Sequence, residues 1–371
     1  MDSVTAHAPL VGYFVIIGGL CLVLAPQIVN TSSSSGSRAQ YRVAFAVLAI
    51  LSLLSTWTYM FRYFVWSKQD AAHSLGLATI SSRQWLQQKS LFYEAWHYVC
   101  SSVDNWWWSE QLCLWTVSGL TIFIIVEGQR NGIKHLWAFM LLGQVVAISF
   151  AQNLFFVALI NSSQQIQTRQ LRQRVDYTLV ICVALALATI SVVPSTLTSK
   201  SFLPNLLLMH VLLFVPLLST TSLSSSTFKV HHEERRRNDG IPASLLYATS
   251  AAISYLLRQP TWSSLTNLHN LTSPAMFDKQ LYMVEMRSLL KHPAQSSIGF
   301  DVVFATISFA SWIVCEHLNE RQRRLTWFQW IMTIACIVSM PAVGVAVSGN
   351  VWLGLRERWL VEDEDENQKI E

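Results

Sequence analysis

Asp301 and Glu127 are the two carboxyls whose placement in the chain could do chemistry. Asp301 sits in SIGFDVVFA, about one turn into an apolar run, with Gly299 beside it to permit close backbone approach, and Glu127 ends another apolar run in VEGQR. A charge at membrane depth is costly and tends to be paired or neutralised, and a carboxyl in apolar surroundings favours its protonated form, the form a general acid needs. Each carboxyl also has a blander reading: Asp301 as a carboxylate favoured by the dipole at a helix N-terminus, Glu127 as an interfacial partner of Arg130. Three amides join them. Gln144, Gln152 and Asn153 interrupt the apolar stretch Ile133 to Ile160. On an unbroken helix Gln144 and Gln152 stand two turns apart and within roughly 80° of each other, with Asn153 about 100° further round. Amides at that depth need partners inside the protein, so they read as glue between helices or as the lining of a pocket.

Aromatic residues supply the other half of the argument. The chain holds 15 Trp and 18 Phe, more than interfacial belts usually require, with Trp106 to Trp108 consecutive and Trp137 near the start of the amide-bearing stretch. Aromatic faces stabilise a cation by up to ~2 kcal/mol or more when desolvated, and exclusion of water keeps a reactive cation from being quenched. Proton transfer in a dry, aromatic-lined chamber is the chemistry this set suits. No Asp-rich helix motif for magnesium and diphosphate, no Gly-rich phosphate loop and no Ser/His/Asp arrangement is present, and the six cysteines form no metal or disulfide pattern. Neither cofactor nor metal is expected, and nothing points to nucleic acid.

The elements that must position these residues are membrane helices. Of 371 residues 52% are hydrophobic and 13% charged, which is too apolar for a soluble globule of this size. The expected fold class is an all-α, polytopic transmembrane bundle of eight or nine spans, one domain over residues 1–361 with an acidic, disordered tail over 362–371. Spans are expected at Leu10 to Val29, Tyr41 to Phe64, Gln111 to Val126, Ile133 to Ile160, Tyr177 to Val193, Leu203 to Leu218, Ile298 to Cys315 and Trp327 to Val347, with Pro242 to Leu257 marginal. Amphipathic segments near 85–104 and 276–290 would lie at the interface, the first ending in the Trp triplet. With nine spans, Arg169, Arg172, Arg174, Lys229, Arg235 to Arg237, Arg321, Arg323 and Arg324 fall in loops on one side, which puts the N-terminus in the cytoplasm. The sequons at Asn30 and Asn270 then face the lumen, where they can carry glycans. Nine spans bring Asp301, Glu127 and His135 to one membrane face; eight move Asp301 to the side of Glu110, Gln152 and Asn153.

Four stretches carry a resemblance: WWWSEQLCLW from Trp106, VEGQR around Glu127, LWAFMLLGQVVAISFAQNLFF from Leu136 and HPAQSSIGFDVVF from His292. They resemble the fungal integral-membrane terpene cyclases of meroterpenoid pathways, of the ascochlorin, ascofuranone and macrophorin type, over most of the chain between Trp85 and Phe304. The resemblance implies a cofactor-free cyclase of an intracellular membrane such as the endoplasmic reticulum. Such an enzyme protonates the terminal epoxide or olefin of a farnesyl chain carried on an aromatic or polyketide-derived head. No catalytic motif transfers with it, so the roles are assigned from the residues: Asp301 as acid and Glu127 as its partner or terminal base. Gln144, Gln152, Asn153, Glu110 and His135 would contact the acid or the polar head, and Trp106, Trp107, Trp108 and Trp137 would line the chamber. A small-molecule transporter or exporter is the alternative.

Overall fold

The computed structural model describes residues 3–29, 37–162, 174–222, 240–271, 278–319 and 326–368, which leaves Asn30 and most of the basic loop residues outside the described part. Helix α1 (Ser3–Val29) starts earlier than the expected first span, and α2 (Ser37–Ser74) runs well past both ends of the second. The amphipathic segment is divided into α3 (Ser82–Gln88) and α4 (Leu91–Cys100). Ser81 opens α3 by accepting the Gln84 N–H at 3.2 Å, and the break after it is held by Lys89, 2.9 Å from Asp70 and 3.5 Å from Glu94. The Trp triplet does not end this segment. It belongs to the first turns of the next helix.

That helix is the axis of the bundle. It comprises α5 (Val103–Leu114), a π-helical turn at Trp115–Leu120, and α6 (Thr121–Arg130), and it is buried almost throughout. The expected span began at Gln111. The helix starts about two turns earlier, because Ser102 accepts the Asn105 N–H at 3.2 Å and caps it there. In the π turn the ring of Trp115 folds over Gly119, where a Cβ would lie 2.3 Å from a ring carbon, and the Trp115 indole donates to Gln152 Oε1 at 2.7 Å. Such wide turns let an extra residue face inward and recur at functional sites.

The amide-bearing stretch is not one helix. It forms α7 (Leu136–Val145) and α8 (Ile148–Ser162), bent so sharply that a Cβ on Gly143 would lie 3.3 Å from the Ala151 Cβ. The cause is Asp301, whose two oxygens accept the N–H groups of Ile148 at 2.9 Å and Ser149 at 2.7 Å. Those donors would otherwise bond carbonyls four residues back, so the carboxylate starts a new helix where apolar composition alone predicts continuity. Gln144 and Gln152 therefore share no helix face.

Helices α9 (Tyr177–Thr196) and α10 (Phe202–Ser222) pack along each other. After them come α11 (Ala243–Leu268), α12 (Lys279–Leu289), α13 (Pro293–Asn319), α14 (Trp327–Val343) and α15 (Val345–Gln368). The marginal run from Pro242 thus becomes a long helix that continues through Pro260, and the second amphipathic segment is α12. The expected last span breaks at Gly344, whose φ of 96° favours glycine, and α15 continues as helix to Gln368 where a disordered tail was expected. A short antiparallel ribbon pairs Arg174–Val175 with Ile241–Pro242.

Helix α2 packs along α8 and α13, α11 packs along α15, and the axial helix meets α11, α13 and α15. Among the described residues five helices are long and apolar enough to cross a membrane, and four shorter apolar helices accompany them. Their outer faces carry large exposed apolar side chains, Leu22 at 76% and Val338 at 71% among them. A band of that kind is suited to lipid and not to water.

Candidate active site

One face of the axial helix carries Asp104, Trp107, Trp108 and Gln111, spaced i, i+3, i+4 and i+7. The face of α11 that meets it carries Arg258, Thr261, Trp262 and Leu265, with His269 one further turn on, just past the helix end. The buried face of α12 contributes Leu281, Glu285, Ser288 and Leu289. Three helical stripes therefore meet in one seam, and two polar groups lie along it.

The first group is Asp104, His269 and Glu285. His269 Nε2 lies 2.8 Å from Asp104 Oδ1, and one potential ligand atom from each of the three residues lies within 4.8 Å of the others. Glu285 is wholly buried and accepts from Ser288 Oγ at 3.0 Å, while its Oε1 has no hydrogen-bond donor among the described residues. Burial, reinforced by the neighbouring Asp104 carboxylate, pushes the Glu285 carboxyl up to about 8. Two carboxyls in contact repel unless a proton or a cation lies between them. The trio can therefore hold a proton, or serve as three ligands of a divalent ion, since His nitrogen and carboxylate oxygens bind metals such as zinc at about 2.0–2.2 Å. Asp104 and His269 are each 19% exposed at the side chain, so the trio borders solvent on that side.

The second group is Glu110 with Arg258. Glu110 Oε1 accepts from Thr261 Oγ1 at 3.1 Å, and its Oε2 lies 3.5 Å from Arg258 Nη1. The Arg258 guanidinium sits 5.1 Å from the Trp262 ring and 5.6 Å from that of Trp107. Trp107 in turn meets Trp108 edge-on at 4.7 Å and Tyr282 at 6.4 Å. Trp106, Trp107 and Trp108 are all buried.

The remaining candidates lie elsewhere. Asp301 is on the α8/α13 interface with Gln152, which donates to Ala305 O at 2.9 Å, and Asn153, which donates to Ser308 Oγ at 2.8 Å. Two of the three neighbours expected under eight spans are here, while Glu110 is with Arg258 and Thr261, and these side chains bond helix to helix. Asp301 caps α8, and Asp301→Ala, which strips acceptors from two buried N–H groups, is expected to cost about 1–3 kcal/mol. A lowered Tm of the detergent-solubilised protein would record that cost, with turnover per folded molecule changing little. Glu127 is far from it. Glu127 bonds Arg130 and Arg356, and Arg356 also bonds Glu316. Asp301 and Glu316 are 15 residues apart on α13, or ~22 Å along the axis, so Asp301 and Glu127 do not converge. His135 is exposed in a left-handed turn with φ of 54°, Trp137 is half-buried, and the Gln144 Nε2 has no acceptor among the described residues.

Sequence reasoning missed Asp104, Arg258, Thr261, Trp262, His269 and Glu285. Their signal was the helical spacing just described. Arg258 was hidden because it follows an apolar run and precedes Pro260, which together look like the end of a span.

Fold and site together define an all-α bundle of the kind a bilayer accommodates, with a buried polar seam walled by tryptophan. A family model described as a protein of unknown function, DUF2834, matches residues 111–161 and 262–358, which take in parts of the seam, Asp301 and the Glu127 cluster. No curated protein and no solved structure matches the chain.

Proposed function

We propose that the chain is a membrane-bound terpene cyclase that protonates the terminal epoxide or olefin of a farnesyl chain on an aromatic or polyketide-derived head. The observation that carries this reading is a wholly buried carboxyl, Glu285, pushed up to about 8 by burial and by Asp104, in the same seam as the buried rings of Trp107 and Trp108. Glu285 takes the role of acid. With an epoxide, its proton goes to the ring oxygen as a C–O bond breaks; with an olefin, it forms a C–H bond from the π pair. The epoxide is the easier acceptor, because its oxygen offers a lone pair and ring opening releases strain. The carbocation is met by the rings that wall the seam, Trp108 among them, and successive double bonds attack it until a carboxylate removes a proton. One proton enters and one leaves, so the product is an isomer. His269 and Asp104 return Glu285 to its protonated state.

The test is turnover by membranes containing the expressed chain. They are given a farnesylated phenol with and without a terminal epoxide, and the expected product has unchanged mass and a new retention time, formed without added metal or nucleotide. A chelator arm addresses the second chemistry that the Asp104, His269 and Glu285 geometry favours. Turnover that survives EDTA supports the proton role, whereas loss on chelation and recovery with a divalent ion would reassign the trio to a metal centre. No isomer from either compound, with the protein demonstrably in the membrane, would count against the cyclase and favour the transporter.

A further inference from the structure

Arg258 is 1% exposed, yet none of its Nε, Nη1 and Nη2 atoms makes a hydrogen bond among the described residues. A guanidinium carries five N–H donors and is among the costliest groups to leave unsatisfied in a protein interior. Glu110 compensates the charge only in part, from 3.5 Å, and spends its other oxygen on Thr261. The guanidinium carbon lies over the rings of Trp107 and Trp262, cation–π contacts that use none of its N–H donors. Gly344 borders the same place: a Cβ built on it would lie 3.7 Å from Arg258 Nε and 3.5 Å from Gln111 Oε1, ordinary contact distances. The indole N–H groups of Trp107, Trp108 and Trp262 are likewise buried without an acceptor among the described residues, so this stretch of the seam is rich in donors and poor in acceptors.

We propose that Arg258 binds an oxyanion on the ring of the substrate, a carboxylate or ionised phenol held by the guanidinium edge between Trp107 and Trp262. The proposal rests on the cyclase reading and deepens it by naming the head group. Arg258 precedes His269 by 11 residues, or ~16 Å along α11, so a head anchored at one end of the seam leaves an extended farnesyl tail reaching towards Glu285 at the other.

Equilibrium binding tests this separately from turnover. The probes are a farnesylated hydroxybenzoic acid and its methyl ester, titrated calorimetrically into the full chain in nanodiscs of zwitterionic lipid. The wild type is expected to bind the acid about tenfold or more tightly than the ester, the ratio that a charge-assisted hydrogen bond supplies. Arg258→Gln is expected to erase that preference while changing ester affinity less than about threefold. Glu110→Gln, which removes the competing carboxylate, is expected to increase the preference instead. An Arg258 and Glu110 pair with only a structural role predicts no change in the ratio for either variant, so the opposite signs discriminate even if both lower stability. Equal affinity of wild type for acid and ester, or no binding of either, overturns the proposal. Selective binding without turnover in the membrane assay would keep the oxyanion site and reject the cyclase.

Discussion

Glu285→Gln is expected to lower turnover by 10²- to 10⁴-fold, the range that a positioned general acid contributes, while making the protein more stable at neutral pH. Both effects have one origin. The Glu285 carboxyl is pushed from its ordinary value to about 8 by burial and by Asp104 beside it, so folding favours its protonated form. The stability that this protonation supplies is fully present below the ordinary carboxylate range, near 4.5, and is lost as pH rises through about 8. Within that window wild-type stability should fall by up to about 1.4 kcal/mol per pH unit for this one group. Gln is neutral at every pH and nearly isosteric, so the variant should show a flatter dependence of Tm on pH and a higher Tm than wild type at pH 8. Wild-type turnover should fall above about pH 8 as the acid loses its proton. Thermal denaturation between pH 5 and pH 9, run beside the membrane assay, checks both halves. A variant that is more stable yet retains full turnover would remove Glu285 from the chemistry, and a less stable one would show that its ionised form has a cation partner.

The chain's helices were largely legible in sequence because apolar run length and helical spacing are local properties. The second amphipathic segment is a clear case: its buried Leu281, Glu285, Ser288 and Leu289 recur at helical spacing, and it forms α12. What sequence could not reveal were the partners. Asp301 stands out as a carboxyl in an apolar run, but its ligands are backbone N–H groups up to 153 positions away, and nothing local announces that they need an acceptor. The same distant contact splits Ile133 to Ile160 into two helices and undoes the shared face assigned to Gln144 and Gln152. Arg356 and Glu357 are hard to recognise in sequence for the converse reason. They precede the acidic run at Glu362 and look like part of a solvated end, although Trp352, Leu353, Trp359 and Leu360 around them are buried. Glu285 is a carboxyl on the face that carries Leu281, Ser288 and Leu289, and helical spacing alone does not say that this face is wholly buried. Its partners Asp104 and His269 come from the axial helix and from the end of α11, far away in sequence.

Arg356→Met should be the most destabilising of these substitutions. The guanidinium donates Nη1 to Glu127 at 2.9 Å and to Glu357 at 3.1 Å, and Nε to Glu316 at 2.6 Å. Arg130, which bonds Glu127 and reaches Glu357 at 2.6 Å, is the second cation of the cluster. Three carboxylates thus face two guanidinium groups, and Glu127, Arg130, Arg356 and Glu357 are all at most 4% exposed. Removing a partner from such a pairing costs about 3–5 kcal/mol, chiefly because the carboxylates left behind stay buried with too little compensating charge. The expected reading is a fall in Tm of about 4–6 °C, from an unfolding entropy of about 2.1 cal/mol/K per residue. Arg358→Met, two positions along the same helix at an exposed site, should change stability by no more than about 0.5 kcal/mol. Adding Glu316→Gln to Arg356→Met removes one stranded carboxylate and should recover part of the loss, a non-additivity that marks the cluster as one unit. The variant also divides the roles open to Glu127. If Glu127 serves only to join α6 to α13 and α15 through Arg356, the Arg356→Met protein that still folds keeps its turnover per molecule. If that folded fraction is inactive, Glu127 returns to the proton chemistry as a terminal base and the seam alone does not account for catalysis.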